Sequence, residues 1–457
     1  MSSNRLRFGV FVVLLVVLSL VAVGCGGGGS SSSEATAESE TTASEETGSE
    51  TEGSGEEAAG GPSGESLEIA LKYTDGKEGE AEAGAEPLKI GLIVEKGATP
   101  SFPEMEAAAD AGAAYINKNL GGVDGHPIEF VKCFIQVEED GQKCGAQLLQ
   151  AKVPLGLFTL GVVGNASLYN TIKGKIPLID SVTPLPEDTT TKDVYNFAGG
   201  APTILYAKAA DAAEVAGKGG KVAILEVENE GGKYAAETYT VPALDLLGVE
   251  HSDPVYFSEE ATTPEMVSAL QAAEGTSASI ILLDPSSPQQ CNSLYEAMKQ
   301  LGISETPVSA TSICGASSFV EEAAGGSPEG WRLWGFVLSS YLSEDPEVKT
   351  FIEIMEDDEQ TEAASIGFSN TVMRDMFLIA RFANELGSSK WTPEAFNKQI
   401  YGFKGEAFLA PGLMACSEPI IPEQPGLCGR EAIGAAFNKG AWEEIPPIAF
   451  NPEVLKK

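Results

Sequence analysis

The sequence predicts an α/β protein made of two doubly wound lobes, each a parallel β-sheet covered on both faces by helices. Three observations carry this expectation. Short apolar runs rich in β-branched residues alternate with amphipathic stretches from Leu88 to Gly302, the pattern of parallel strands joined by crossover helices. The repeats are too many for one ordinary sheet. Beyond residue 87 about 370 residues remain, enough for two domains with cores of their own.

The elements follow in order. "LKIGLIV", Leu88 to Val94, reads as a buried strand. Pro103 opens a helix, "PEMEAAADAGAAYINKN", in which Met105, Ala109, Ala113 and Ile116 recur at helical spacing; proline suits the first turn and acidic residues suit its positive end. "PIEFVKCFI" is a strand, "GQKCGAQLLQA" a helix and "GLFTLGVVG" a strand, followed by a short helix over Ser167 to Lys173 and the strand "IPLID". After "YNFAG" come a helix over Thr203 to Ala216, the strand "KVAILEV" and a helix over Tyr234 to Leu247. Strand "PVYF", helix "TPEMVSALQAA", strand "SIILLD" and helix "PQQCNSLYEAMKQLG" continue the series. From Trp331 the pattern loosens into a strand within "WRLWGFVLSS" and a long helix over "SNTVMRDMFLIARFANELG".

The chain begins differently. Arg5 and Arg7 precede Phe8 to Val23, a run of 16 residues without a charge. That is shorter than the ~20 residues a membrane-crossing helix needs and typical of a secretory signal. Small residues lead to Cys25, and the stretch resembles the lipobox of bacterial lipoproteins, departing only at Ala22, where leucine is usual. The resemblance implies a signal peptide over 1–24 and a lipid on Cys25 that anchors the protein to a membrane, since several acyl chains hold firmly where one does not. Residues 26 to 66 contain ten glutamates and no lysine or arginine. Such a tract cannot bury enough apolar surface to order itself, and a disordered acidic tether over 25–87 is expected, although "LEIALKY" shows some strand alternation.

Lysine and arginine total 29 against 67 aspartates and glutamates, a formal charge of -38. A body this acidic repels nucleic acid and anionic lipid, so neither is expected as a partner of the folded part. Six cysteines besides Cys25 fall in three near pairs, Cys133 and Cys144, Cys291 and Cys314, Cys416 and Cys428. A secreted chain with an even cysteine count is read as disulfide-bonded. Of the 15 connectivities six cysteines allow, the three short closures are the simplest. With no CxxC and only His126 and His251 in the chain, no metal site and no cofactor are expected.

The order of segments carries a second resemblance. "LKIGLIV", then "AAYINKNLGGVDGHPIEFV", then "GVVGNAS", "IPLIDSVTP", "NFAGGAP" and "KVAILEVENEGG" resemble the branched-chain amino acid type of periplasmic binding protein, the solute receptors of ABC importers. The resemblance covers Leu88 to Val337 well and the remainder loosely. It implies two lobes joined by crossing strands near Ala201 and Val337, with 88–201 and 338–430 forming lobe 1 and 202–337 and 431–457 forming lobe 2. It implies an extracytoplasmic, monomeric protein that closes on a small polar ligand, an amino acid or related carboxylate or amide, and presents it to an ABC permease.

Site residues follow from the same source. Loops at the carboxyl ends of parallel strands, with helix N-termini pointing in, suit an anionic group. On the first lobe this places Asn165, Ala166 and Ser167 after one strand and Ser181 to Thr183 after the next, with Ser167 and Thr183 expected on a ligand carboxylate; the alternative reading of each is an N-cap, which is compatible with binding. Asp180 adds an acid beside them. On the second lobe Asp284, then Glu226, are the acids placed for a ligand ammonium, with solvated loop charges as the alternative. Here the chain departs from the family, since Glu226, Glu228, Asn229 and Glu230 fill a loop where a tyrosine is common and Tyr234 comes late.

An enzyme is not expected. No GxSxG, no GxxxxGK[ST] and no GxGxxG after a strand occurs, and two histidines leave little for general-base work. A hydrolase on this scaffold, and a ligand-sensing lipoprotein that signals to a membrane receptor, are the competing readings.

Overall fold

The structure, a computed structural model, describes residues 63–97, 101–315, 319, 325 and 328–456. The expected signal peptide, Cys25 and the tether up to residue 62 lie outside the described residues. No helix among the described residues is long and apolar enough to cross a membrane.

Two sheets organise the body. The first holds β1 (Leu88–Glu95), β2 (Ile128–Ile135), β3 (Gly156–Leu160), β4 (Leu178–Val182) and β5 (Val194–Tyr195), all parallel in the order β2-β1-β3-β4-β5. The second holds β6 (Lys221–Val227), β7 (Glu250–His251), β8 (Val255–Phe257), β9 (Ile280–Asp284), β10 (Val308–Thr311) and β11 (Trp331–Gly335). Its parallel part runs β8-β6-β9-β10-β11, with β7 also on β6. A short ribbon, β12 (Lys404–Gly405) with β13 (Met414–Ala415), precedes the antiparallel pair β14 (Glu431–Asn438) and β15 (Ala441–Ala449), which extends the second sheet beyond β11.

Alternation along the strands explains the layers. In β1, Ile90, Leu92 and Val94 enter one core, and Ile93 points into the other. The first core is closed by α1 (Gly64–Thr74), α2 (Pro103–Asn119) and a helix over Ser369–Leu386; the second by α3 (Glu138–Ala151) and α4 (Asn165–Ile172). A five-residue helix, α5 (Pro186–Thr190), follows β4. In the second lobe α6 (Gly200–Ala216) covers one face together with α7 (Glu230–Ala235) and α8 (Val241–Leu247). The other face is covered by α9 (Thr263–Ala272) and α10 (Pro288–Leu301). Between α7 and α8 one turn, Ala236–Thr240, is wider, and Val241 N–H bonds to Ala236 O. Pro242 donates no N–H and crowds the preceding turn, which accounts for the widening.

The tether is shorter than the sequence suggests. Residues 64–74 are neither disordered nor a strand but a helix, capped by Ser63, whose hydroxyl accepts from Ser66 N at 3.3 Å. Ser66, Ala70, Tyr73 and Thr74 are its buried positions, a helical stripe that overrides the weak period-two signal of "LEIALKY". Tyr73 reaches Glu347, and Asn384 Nδ2 donates to Thr74 O at 2.9 Å. The chain then runs beside 117–121, with Ala81 N on Asn117 O at 2.8 Å and Gly79 N on Asn119 O at 3.1 Å. These residues belong to the folded body.

Three segments pass between the sheets. One lies near 196–200, one near 336–338 and a third at 428–431. The first and third run side by side, with Asn196 N on Gly426 O at 2.8 Å, Cys428 N on Asn196 O at 2.9 Å and Gly429 N on Ala198 O at 2.9 Å. All three short disulfides form: Cys133–Cys144 ties β2 to α3, Cys291–Cys314 ties α10 to the segment after β10, and Cys416–Cys428 pins the third crossing.

Candidate functional site

In both lobes the parallel strands follow the same doubly wound order, so each sheet has a crevice at its carboxyl edge where the order reverses. The two edges face each other across a cavity of about 420 Å³, within the range of small-molecule sites. Its walls come from both lobes, including Phe336 in one crossing segment and Ala201 just after another.

The first-lobe wall is apolar. Leu160 and Val182 end β3 and β4, and the rings of Phe102, Phe336 and Phe368 stand around them, with Phe368 5.9 Å from Phe102 and 6.2 Å from Phe336. The exception is Thr183. Its side chain is 3% exposed and its hydroxyl has no partner among the described residues.

Behind this wall the loop amides are already occupied. Glu95, buried at the end of β1, accepts from Val162 N at 2.6 Å and Val163 N at 3.2 Å. Gly164 N donates to Glu138 Oε2 at 2.8 Å. The approach depends on two glycines: Gly164 has φ +80°, and a Cβ on Gly141 would lie 2.0 Å from Gly164 O. The next loop is closed likewise, with Leu185 N on Asp188 Oδ2 at 2.9 Å. Burial raises the Glu95 carboxyl against the two amides that lower it.

A buried network underlies these loops. Tyr169 Oη lies 3.0 Å from Asp180 Oδ2 and 2.8 Å from Asp188 Oδ1, and Asn165 Nδ2 donates to Asp188 Oδ1 at 2.7 Å. Tyr169 has one proton, so it serves both carboxyls only if one of them is protonated and donates in turn. Burial accounts for this first, pushing Asp188 up to about 7 and Asp180 well above its ordinary range, with the charge of Asp188 adding to Asp180.

The second-lobe wall is acidic. Lys208, on α6 and fully buried, donates to Asp284 Oδ1 at 2.8 Å. Glu226 is the register neighbour of Asp284 across β6 and β9. It is buried without a hydrogen-bond partner among the described residues, and burial, then the charge of Asp284, holds its carboxyl well above the usual range. Asn229 caps α7 by accepting from Gly232 N at 2.8 Å and donates to Glu259 at 2.8 Å. The amides of Ser286 and Ser287 go to Gln290 Oε1, at 2.6 and 3.2 Å. Glu230 lines the cavity, exposed and without an ion pair among the described residues.

A model of the family described as periplasmic binding protein matches residues 87–418, well over half of the chain. The chain belongs to the periplasmic binding protein family. Solved structures similar to this periplasmic binding protein include a solute-binding protein of an ABC transporter from Rhodopseudomonas palustris in complex with p-hydroxybenzoic acid. The two share 16% identity with a TM-score of 0.64, over 80% of this chain and 98% of that one. A branched-chain amino acid transporter substrate-binding protein from Streptococcus pneumoniae, in complex with isoleucine, matches at 15% identity and TM-score 0.60, over 79% and 99%. A leucine-binding protein from Thermotoga maritima matches at 16% and 0.60, over 80% and 99%. These likenesses show the type I fold of two doubly wound lobes. Among curated protein sequences none matches significantly.

Of the residues expected to meet a ligand in this binding protein, Thr183 and Asp284 line the cavity. The others do not. Asn165 is turned into the buried network, and Ser167 donates to Glu138 O at 2.6 Å, away from the cleft. Ala166 is exposed outside the cavity lining, Ser181 is buried beneath it, and Glu226 is buried beside Asp284. Asp284 itself already holds a cation. Glu95, Glu138 and Lys208 escaped the sequence reading, although each had a trace: a charge closing the apolar run "LKIGLIVE", one opening a helix, and one inside "ILYAKAADAA".

Proposed function

We propose that this periplasmic binding protein captures one small organic ligand between its lobes and presents the closed form to an ABC importer. It does so outside the cytoplasm, as a monomer held to the membrane by a lipid on Cys25, and it makes and breaks no bond in its ligand. The observation that carries the reading is the cavity walled by both lobes, with a buried hydroxyl on Thr183 that has no partner among the described residues. Contacts from both walls exist together only when the lobes are closed, so a ligand shifts the population toward closure in proportion to that difference in affinity. Family membership supports the role, and solved relatives of the same fold are described in complex with isoleucine and with p-hydroxybenzoic acid.

Thr183 and Asp284 are the contacts we assign; Asn165, Ala166, Ser167, Ser181 and Glu226 support the walls rather than touch the ligand. Mass spectrometry of small molecules released on denaturing the purified full-length chain identifies the ligand. Adding it back should shrink the radius measured by solution scattering and return the ligand unchanged. Thr183→Ala removes one neutral hydrogen bond, about 1 kcal/mol, and is expected to weaken binding about fivefold by calorimetry. Unchanged affinity in that variant would remove Thr183 from the site, and turnover of the ligand would overturn the binding reading.

A further inference from the structure

The cavity has few donors to offer. A ligand carboxylate needs N–H or cationic groups, and helix N-termini at strand ends normally supply them. In this protein most of those amides are spent internally: Val162 and Val163 on Glu95, Gly164 on Glu138, Leu185 on Asp188, Gly232 on Asn229, Ser286 and Ser287 on Gln290. The first-turn amides of Glu230 and Gly231, on the six-residue α7, line the cavity with no side-chain acceptor among the described residues. Among the described residues no lysine, arginine or histidine lines the cavity. The nearest cation on the second-lobe wall, Lys208, is fully buried with its ammonium on Asp284.

Acceptors, by contrast, are plentiful. Glu230, Glu259 and Asp284 all line the second-lobe side, opposite the phenylalanine wall. A cleft with one sign of charge and low-dielectric walls concentrates ions of the other sign. Thr183, 3% exposed and unpartnered among the described residues, adds a hydroxyl that can accept from a ligand N–H at the apolar end. Its burial separates this arrangement from a chance cluster of surface acids.

We infer that the cleft selects an organic amine, a protonated ammonium on an aryl or branched alkyl body with no carboxylate of its own. The ring or alkyl group packs against Phe102, Phe336 and Phe368, and the ammonium faces Glu230 and Asp284. The chain's own Glu95 takes the place on the first lobe that a ligand carboxylate would need. This inference rests on the capture reading above and narrows the expected amino acid or carboxylate to a different charge class.

The test is calorimetry on the full-length chain with three probes that share one ring and chain: 2-phenylethylamine, phenylalanine and 3-phenylpropionate. The amine is expected to bind one to one, at least tenfold more tightly than either carboxylate-bearing probe, and to weaken with added salt. Glu230→Gln, at an exposed position, should weaken the amine severalfold and leave thermal unfolding unchanged. Equal or tighter binding of phenylalanine or 3-phenylpropionate would overturn the amine class while leaving capture between the lobes standing. Saturable binding by none of the three would also overturn the amine class, and the molecules released from the native protein would then decide the capture reading separately.

Discussion

The two lobes share one strand order, β2-β1-β3-β4-β5 in the first and β8-β6-β9-β10-β11 in the second, yet their facing edges have opposite chemistry. The first presents aromatic and aliphatic side chains, with its amides closed by Glu95, Glu138 and Asp188. The second presents carboxylates, one of them held by a buried lysine. Topology therefore places the crevice, and side chains arriving from elsewhere in the chain decide what it can hold. Each lobe also buries a cation completely. In the first, Arg374 Nε donates to the adjacent Asp375 at 2.8 Å, and its two terminal nitrogens have no partner among the described residues. In the second, Lys208 spans 76 residues of sequence to reach Asp284.

The sharpest way to break this comparison is to remove the second-lobe cation. Lys208→Ala leaves Asp284 and the buried Glu226 without their neutralising neighbour, and breaking one side of a buried pair costs about 3–5 kcal/mol. Urea unfolding should show that loss. A change under about 1 kcal/mol would mean that Lys208 is not the group that holds the acidic edge together.

A smaller effect is expected where the lobes are alike. Cys133–Cys144 and Cys291–Cys314 each staple a helix to its own sheet. Replacing either pair by serine should lower stability by about 3 kcal/mol through the freed unfolded chain, read by the same titration. Peptide mapping without reductant should recover both bridges together with Cys416–Cys428. Free thiols at both members of a pair would remove that staple.

The smallest effect is a pH dependence that the first lobe should dominate. Burial raises Glu104 to about 7 and Asp188 to about 7, with Asp180 raised as well. Their unfolded counterparts titrate near the ordinary carboxylate range, so between about pH 4.5 and 7 the folded state binds the extra protons. Stability is then fully present at the low end of that window and falls as pH rises through it. Carboxylates held low, such as Glu418 beside Lys404, titrate below the window. Lowering pH from 7.5 to 5.5 should raise Tm by roughly 2–4 °C, and Glu104→Gln should flatten the profile. Glu226 in the second lobe is raised too; a profile flattened more by Glu226→Gln than by Glu104→Gln would move the pH response to the other wall.

Much of the molecule was legible in the chain because it depends on neighbours. Strand and helix periods, proline at the first turn of α2, α9 and α10, and the short cysteine closures are all local. They led to the two-lobed α/β class, the order of elements and the disulfides. Where local signals were weak the reading failed. "LEIALKY" is too short to choose between periods until its apolar stripe meets the helices at 346–357 and 369–386. The hairpin of β14 and β15 lacks the alternation of a half-buried strand, since β14 is buried on both faces.

The candidate site divides at the same boundary. Strand ends and loops followed from sequence, and the resemblance then implied Thr183 and Asp284 at the carboxyl edge that a doubly wound sheet presents. Whether those loops were free to bind did not. Glu95 meets Val162 from 67 residues away, Glu138 meets Gly164 from 26, and Lys208 meets Asp284 from 76. A charged residue in an apolar run carries no record of its partner. Its pairing is set by where two distant elements cross in space, and the free energy of burying a charge forces such a partner to exist without naming it. The sequence by itself determined a two-lobed fold with a crevice between facing strand ends; the tertiary structure alone decided that one wall of the crevice is plugged by its own carboxylates and the other left acidic.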